Sequence, residues 1–356
     1  MATSPLITVR QASGDYPVFV GRGLASRVGE LVTPRGRVFV LTSPELRSLW
    51  GDRVAQSFSP HAEVLTVEEG EVRKTLATAN DVVSQLLVRD GKRDSLLVVV
   101  GGGMLGDTGG FAASVFLRGI DVVQVPTTLL AQVDSSIGGK TGVNHELGKN
   151  LIGTFHVPRA VVADPACLET LPQRELAGGL FEALKAGVVG DIDLFRVFEE
   201  RPGELLARDP AVLDDVVARA VRVKASIVSE DEREGGLRRL LNYGHTIGHA
   251  LETVLRYEQI SHGEAVGWGM VAANAIAVRR HLLPESEAVR IDGAIASLGP
   301  TPLPPLDREA VLAATGFDKK NTSRGRVMVL PRAVGDAVIV EDISDDEIGY
   351  GVDALL

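Results

Sequence analysis

A single cysteine, Cys167, leaves this chain no internal disulfide and fits a reducing compartment. Aromatic residues are scarce, at 4% of the chain, which argues against a base-stacking surface for single-stranded nucleic acid. Positive charge is in deficit. The 37 Lys and Arg stand against 47 Asp and Glu, a formal net charge of −10. That balance argues against a nucleic-acid partner and against an anionic membrane surface. It does not restrict the substrate, because a local basic pocket fits inside an acidic shell. No uninterrupted apolar stretch is long enough to span a bilayer. The opening MATSPLITVRQ has no charged segment followed by an apolar run, so no signal peptide is expected. No internal repeat or low-complexity tract stands out. The expectation is a soluble, cytoplasmic enzyme. Its 356 residues, 45% of them hydrophobic, suffice for one large or two medium domains.

What the chain does have is concentrated in Leu241–Glu252, LNYGHTIGHALE. His245 and His249 are four residues apart, so on a helix both imidazoles share one face. Gly244 and Gly248 let another backbone or a ligand come close. A third histidine follows in His262-Gly263-Glu264, and Glu182 lies upstream in GGLFEALKAG. Two or three histidines with one carboxylate and an open position make a catalytic zinc pattern. The alternative is a set of ordinary polar residues on a half-buried helix. The spacing lacks the glutamate of the zinc-protease motif, so it does not imply peptide hydrolysis.

The first half reads as strands separated by turns and helices. Leu6–Arg10, Tyr16–Val20, Val38–Leu41 and Val64–Val67 have strand character, and Pro44 opens a helix. A further helix runs to about Val88 and is expected to close on a glycine cap at Gly91. Leu96–Val100 (LLVVV) is the strongest strand and leads directly into Gly101-Gly102-Gly103-Met104-Leu105-Gly106-Asp107. A buried strand, a glycine turn and a helix start suit a diphosphate. The alternative is a tight turn without a ligand, because G-x-G-x-x-G sits late here rather than on the first strand. Asp121 reads as a turn residue, not a ribose contact. Thr127 and Thr128 end the strand Val122–Val125 and either face a ligand crevice or cap the next helix. The glycine-rich run from Asp134 to Asn144, with Gly148-Lys149-Asn150 after it, suggests an anion cradle, or else a solvated loop. Val161–Pro165 closes the first half, with a boundary near Leu171–Gln173. Helical patterns dominate from Arg174 to about His281, broken at Pro202 and Pro210. A proline-rich connector, Pro300–Pro305, follows, and Val327–Leu330 with Ala337–Val340 read as a short terminal hairpin.

The Gly101 run, Gly138-Gly139-Lys140, Glu182 with Lys185, GHTIGH and His262-Gly263-Glu264 occur in one order. Together they resemble the 3-dehydroquinate synthase family, over about Tyr16 to Leu330. The resemblance implies an α/β protein. A Rossmann-like NAD-binding domain (1–172) is followed by a mainly α-helical metal- and substrate-binding domain (173–356). It implies NAD and a divalent metal, zinc or cobalt, the latter on Glu182, His245 and His262. It assigns NAD contacts to Glu69, Gly70, Glu71, Val72, Arg73 and Lys74, and to Gly103, Met104, Leu105, Gly106 and Asp107. Thr127, Thr128, Lys140 and Lys149 continue that set, and Cys167, Leu168, Glu169 and Thr170 complete it. Substrate contacts fall on Lys140, Asn150, Lys185, Arg238 and Asn242, with a late lysine, Lys319 or Lys320. Arg118 matches an arginine that reaches the neighbouring subunit's substrate phosphate in a homodimer. The catalytic group is expected on His249, Lys140, Glu234 and Lys224.

The reaction implied converts 3-deoxy-D-arabino-heptulosonate 7-phosphate to 3-dehydroquinate and phosphate, in the shikimate route to chorismate and aromatic amino acids. It proceeds through transient oxidation, β-elimination, re-reduction and aldol closure. Sister sugar-phosphate cyclases acting on sedoheptulose 7-phosphate or glucose 6-phosphate share the NAD and metal motifs; Arg238 and Asn242 favour an acid substrate. A polyol dehydrogenase of related architecture and a nucleotide-binding regulator are more distant readings. The chain also departs from the family. Ser43 stands where many members carry an acid for the adenosine ribose. Ala183-Leu184 and Ala186 replace commoner Val-Ile and Tyr, and Trp268 is bulkier than the usual residue.

Overall fold

The computed structural model describes residues 3–256, 259–316 and 326–356. Lys319 and Lys320 lie outside the described residues. The chain divides into two compact units, Met1–Leu171 and Pro172–Leu356.

The first unit contains strands β1 (Ile7–Val9), β2 (Tyr16–Val20), β3 (Val38–Thr42), β4 (Glu63–Thr66) and β5 (Leu96–Gly101). These are followed by β6 (Asp121–Pro126), β7 (Lys140–His145), β8 (Gly148–Phe155) and β9 (Ala160–Ala163). Seven of them form one sheet in the order β1-β2-β9-β6-β5-β3-β4, parallel except for the β1–β2 pair. A parallel sheet covered on both faces needs strands that are apolar on both sides. LLVVV meets that need. Val98 and Val100 pack with Phe19, Trp50 and Val162 on one face, and Leu97 and Val99 with Phe39, Leu65 and Phe111 on the other. From β3 the chain steps outward to β4, then returns to β5 on the other side of β3. The crevice at the carboxyl ends of β3 and β5 is therefore the switch point of the sheet, where open α/β sheets take ligands.

Two local expectations are corrected here. The stretch that reads as an anion cradle or a solvated loop, Asp134–Asn144 with Gly148-Lys149-Asn150, is from Lys140 onward an antiparallel pair, β7–β8, which corrects the solvated-loop alternative. Its Val143 is fully buried in the core of the first unit, which anchors the pair despite its glycines. The helix Leu76–Val88 closes on Asp90, not Gly91: Asp90 takes φ +58°, and the Gly91 N–H returns to the Leu86 carbonyl at 2.8 Å. Gly91 is required for space, because a Cβ there would stand 3.0 Å from that same carbonyl oxygen.

In the second unit, three helices carry the chemistry-bearing residues: the glutamate helix Gln173–Gly190, the first histidine helix His245–Val254 and the second histidine helix His262–Arg279. Glycines let them touch backbone to backbone. A Cβ at Gly263 would lie 2.0 Å from the Gly178 carbonyl oxygen, and one at Gly269 would lie 1.9 Å from the Gly244 carbonyl oxygen. At Gly248 it would stand 2.8 Å from the Ala265 carbonyl oxygen. The glycines of GHTIGH thus serve helix approach. Gly269→Ala forces the two histidine helices apart and is expected to cost about 1–3 kcal/mol or more, as overpacked cores do. A urea midpoint unchanged from the parent would contradict that. Strands β10 (Arg326–Ala333) and β11 (Asp336–Ile343) form the expected hairpin, but it is not terminal. Ser344 and Glu347 make a capping box that starts a further helix, Asp345–Asp353. No helix among the described residues is long and apolar enough to cross a membrane.

Candidate metal centre and cofactor cradle

The glutamate helix is buried nearly all round, so Glu182 and Lys185, three residues apart, enter the interior on one face. Lys185 Nζ meets Glu182 Oε2 at 2.5 Å. Glu182 turns its other oxygen, Oε1, toward His245 Nε2 at 3.5 Å and His262 Nε2 at 3.4 Å. Tetrahedral bonds of about 2.0–2.1 Å separate ligand atoms by about 3.3–3.4 Å, so each imidazole nitrogen stands from Glu182 Oε1 about as two ligands of one ion do. Each imidazole is also held from behind. His245 Nδ1 lies 3.2 Å from the Tyr243 carbonyl oxygen, and His262 Nδ1 lies 3.1 Å from Glu252 Oε2. Protons on the two Nδ1 atoms donate to these acceptors and leave both Nε2 atoms for a metal. The donor set fits a divalent ion of the zinc type.

Burial opposes charge on His262, but hydrogen bonds to Glu182 and then Glu252 outweigh it and raise its pKa to about 10. Burial likewise opposes the Glu182 carboxylate. The Lys185 charge, followed by His262, outweighs that and holds Glu182 well below the usual carboxylate range. A divalent ion would take the place of the His262 proton.

His249 sits one turn beyond His245. Its ring packs edge-on to His245 at 5.2 Å and stacks on His262 at 5.7 Å. Its ligating nitrogen clusters with those of His245 and His262 within 4.8 Å of one another, and the side chain is exposed where His245 is buried. Glu264, by contrast, belongs to the helix start: it forms the capping box with Ser261 and accepts from the Thr301 N–H and hydroxyl.

A second cluster forms around the loop before the first histidine helix. The Asp231 carboxylate accepts from the backbone N–H groups of Gly235 (3.0 Å), Gly236 (2.7 Å) and Arg238 (3.0 Å). Burial raises its pKa less than these bonds lower it, so it stays ionised. The tight loop puts Glu234 at φ +62°, where its carboxylate accepts from Asn242 Nδ2 at 2.7 Å. Arg238 is buried and donates to the Glu232 carbonyl oxygen. Lys224 is buried on the helix Pro210–Glu230. Asp231 and Glu252 do not stand out in the sequence. The usable signal for Glu252 is its place two turns beyond His245 on one helix face.

In the first unit, the helix Gly103–Val115 starts at the switch point without a side-chain cap. The first N–H groups of a helix have no intrahelical acceptor, which suits them to bind phosphate. The turn is close-packed: a Cβ at Gly102 would stand 2.9 Å from the Thr128 methyl, and one at Gly103 would stand 3.1 Å from Ser135 Oγ. Lys74 Nζ lies 2.6 Å from both Asp107 Oδ2 and Asn150 Oδ1. Burial pushes the Asp107 carboxyl up against the pull of Lys74. Asn150, at φ +53°, donates its N–H to Asn144 Oδ1. Glu71 accepts from Asn144 Nδ2 at 2.7 Å, and a pocket of about 550 Å³ is lined by Glu71, Val72, Lys74, Asn144 and His145. Ser43 N-caps a short helix through Leu46 and donates to Glu69 Oε2 at 2.9 Å. Gly70 (φ +114°) and Arg73 lie in the same turn.

Of the other residues of the expected set, some line the same turn and others lie in the core or on the surface. Thr128 Oγ1 caps the next turn through Ala131, and Thr127 is buried. Leu105, Cys167 and Leu168 have core side chains, so only their backbone can meet a cofactor. Burial pushes the Cys167 thiol up, out of any redox or nucleophilic range. Glu169 pairs with Arg22 at 2.6 Å, and Thr170 accepts from Trp50 at 3.4 Å. Met104 and Gly106 lie in the first turns of the cradle helix; Lys140 is exposed and Lys149 half-buried on the β7–β8 pair. Asp121 opens β6 at the amino end, opposite the glycine turn, and pairs with Arg159 at 2.8 Å.

The sequence matches the family model described as 3-dehydroquinate synthase N-terminal over residues 64–178 and the C-terminal one over 179–321. A curated 3-dehydroquinate synthase of Solibacter usitatus (strain Ellin6076) is 43% identical, covering 96% of each chain. Among solved structures, a 2-epi-5-epi-valiolone synthase of Streptomyces hygroscopicus subsp. jinggangensis 5008 with NAD⁺ and Zn²⁺ bound is 32% identical, with TM-score 0.87 and 96% of each chain covered. A 2-deoxy-scyllo-inosose synthase complexed with carbaglucose-6-phosphate, NAD⁺ and Co²⁺ is 27% identical. It has TM-score 0.87 over 97% of this chain and 98% of that one. With both halves matched and a curated relative aligned over almost its whole length, this chain belongs to the 3-dehydroquinate synthase family.

Proposed function

We propose that this chain converts 3-deoxy-D-arabino-heptulosonate 7-phosphate to 3-dehydroquinate and phosphate, with NAD and a divalent metal. One observation carries the catalytic half of the reading: the convergence of Glu182, His245 and His262 at ligand spacing. The family match and the 43% identical 3-dehydroquinate synthase support the substrate. When bound, NAD and the metal supply reversible hydride transfer and Lewis acidity.

The chain's own residues do the rest. His249 moves the proton at the substrate alcohol. Arg238 and Asn242 bind the carboxylate, since a guanidinium can hold both oxygens, and Glu234 fixes Asn242. Lys185 keeps Glu182 ionised, and Lys224 adds a buried positive charge to the second unit. Lys140, Lys149 and Asn150 offer two cations and an amide for the phosphate, and Lys74 orients Asn150. We also propose a homodimer in which Arg118 reaches across. Arg118 is exposed at φ +71°, beside exposed Leu117 and Val115. Light scattering at micromolar concentration reads the mass directly.

Glu69 takes the ribose role that Ser43 cannot fill alone. Their hydrogen bond holds a carboxylate at the switch point, where an acid accepts from ribose hydroxyls. Glu69→Ala is expected to weaken NAD⁺ binding about 10–100-fold, the worth of a hydrogen bond to a charged group, and to leave NADP⁺ unchanged or tighter. Calorimetry with both cofactors decides; equal losses for the two would refute the role.

The function is tested by following phosphate release and NADH absorbance together in metal-loaded protein. Phosphate without accumulating NADH supports the internal redox cycle on this substrate. Release from sedoheptulose 7-phosphate or glucose 6-phosphate instead moves the assignment to a sister cyclase. Stoichiometric NADH points to a polyol dehydrogenase.

A further inference from the structure

We infer that Glu252 is a positioning residue for the metal centre, acting through His262. Glu252 lies on the first histidine helix, and its buried carboxylate receives His262 Nδ1 at 3.1 Å. The opposite nitrogen of the same ring faces Glu182 Oε1 at 3.4 Å. Glu252 is only 4% exposed, so it is shielded from bulk solvent.

The two ligand imidazoles are supported unequally. His245 is backed by a neutral backbone carbonyl, His262 by a carboxylate. A carboxylate behind a ligating histidine fixes ring and tautomer and makes the imidazole a stronger donor. It also sets the charge of the site. Glu182 already faces the Lys185 ammonium, so Glu252 adds a second buried carboxylate, and its negative charge, beside a divalent ion. The geometry is not loose. Gly244, Gly248 and Gly269 hold the helix bearing Glu252 against the helix that begins with His262. A side chain on one helix can therefore aim at a ring on the other.

This inference rests on the metal reading of Glu182, His245 and His262, and its test separates the two. The full-length protein is stripped of metal and titrated with Co²⁺ against a chromophoric chelator. Its visible cobalt spectrum is recorded for the parent, Glu252→Gln and Glu252→Asp. Glu252→Gln keeps shape and an acceptor oxygen but loses charge. Its Co²⁺ affinity is expected to fall about 10–100-fold, with altered cobalt bands and a lower kcat at nearly constant KM. Glu252→Asp, which restores the charge at shorter reach, should recover part of the affinity. Where the glutamine variant does not fold, the aspartate variant carries the test alone, with weaker Co²⁺ binding and shifted bands expected. Affinity within twofold of the parent and a superimposable spectrum in the folded variant would overturn the role of Glu252. A parent that takes up no Co²⁺ overturns the metal reading itself, and this inference with it.

Discussion

Glu182→Gln is expected to empty the metal site and to lower kcat/KM by at least about 10³-fold, the worth of several kcal/mol of Lewis-acid stabilisation. Glutamine has the right shape, so the loss reports charge. Glu182 is the sole carboxylate within 3.5 Å of both Nε2 atoms among the contacts described above. The same change removes the carboxylate that faces Lys185, whose side chain is 2% exposed. Breaking a buried pair in this way typically costs about 3–5 kcal/mol, so the urea midpoint falls as well. Metal content measured on the folded fraction separates the two effects. A variant that keeps stoichiometric metal and near-parental turnover would remove Glu182 from the ligand set.

The parent protein gives a companion readout in pH. The folded pKa of His262, about 10, lies above its ordinary 6.5. Its contribution to metal-free stability is therefore complete below pH 6.5 and is lost as pH rises toward 10. A metal must expel that proton, so Co²⁺ affinity should climb about tenfold per pH unit between 7 and 9, with one proton released per ion. Binding at pH 8 in weak buffer without proton release would contradict this.

The local parts of this cluster were legible in the sequence, whereas the grouping of Glu182 with His245 and His262 came from the family resemblance. GHTIGH announces two imidazoles on one helix face, and LLVVV followed by glycines announces a buried strand and a turn. What stayed hidden depends on contacts across the fold. Ser43 reads as the loss of an acid, because nothing in a sequence says that β4 lies beside β3 and returns Glu69 to the same place. Glu252 meets His262 across a connection between helices. The β7–β8 pair was masked by its glycines and polar residues, which carry no periodicity, while its anchors are few, Val143 in the core with Ile152 against it. The last helix was masked by its acidic composition, although Ser344 and Glu347 stand at capping-box spacing. Asp90 took the left-handed cap position expected of Gly91 because aspartate tolerates that conformation, whereas Gly91 is needed where the chain crowds the Leu86 carbonyl.

His249→Gln separates the two ways of reading three clustered histidines. If the ion is held by Glu182, His245 and His262, His249 is not a ligand, and its loss should spare metal content and the cobalt spectrum. Turnover should still fall about 10²–10⁴-fold, the usual worth of a positioned proton donor or acceptor. The structure favours this division of labour. The Glu182 oxygen reaches His245 and His262 at 3.5 and 3.4 Å, and both of those rings have acceptors fixing Nδ1. His249 is instead the exposed member, stacked on His262. One limb of the pH–rate profile should disappear with the imidazole. Loss of metal in His249→Gln would instead make it a ligand and leave the proton to another group. Turnover within threefold of the parent, with metal retained, would deny it both roles.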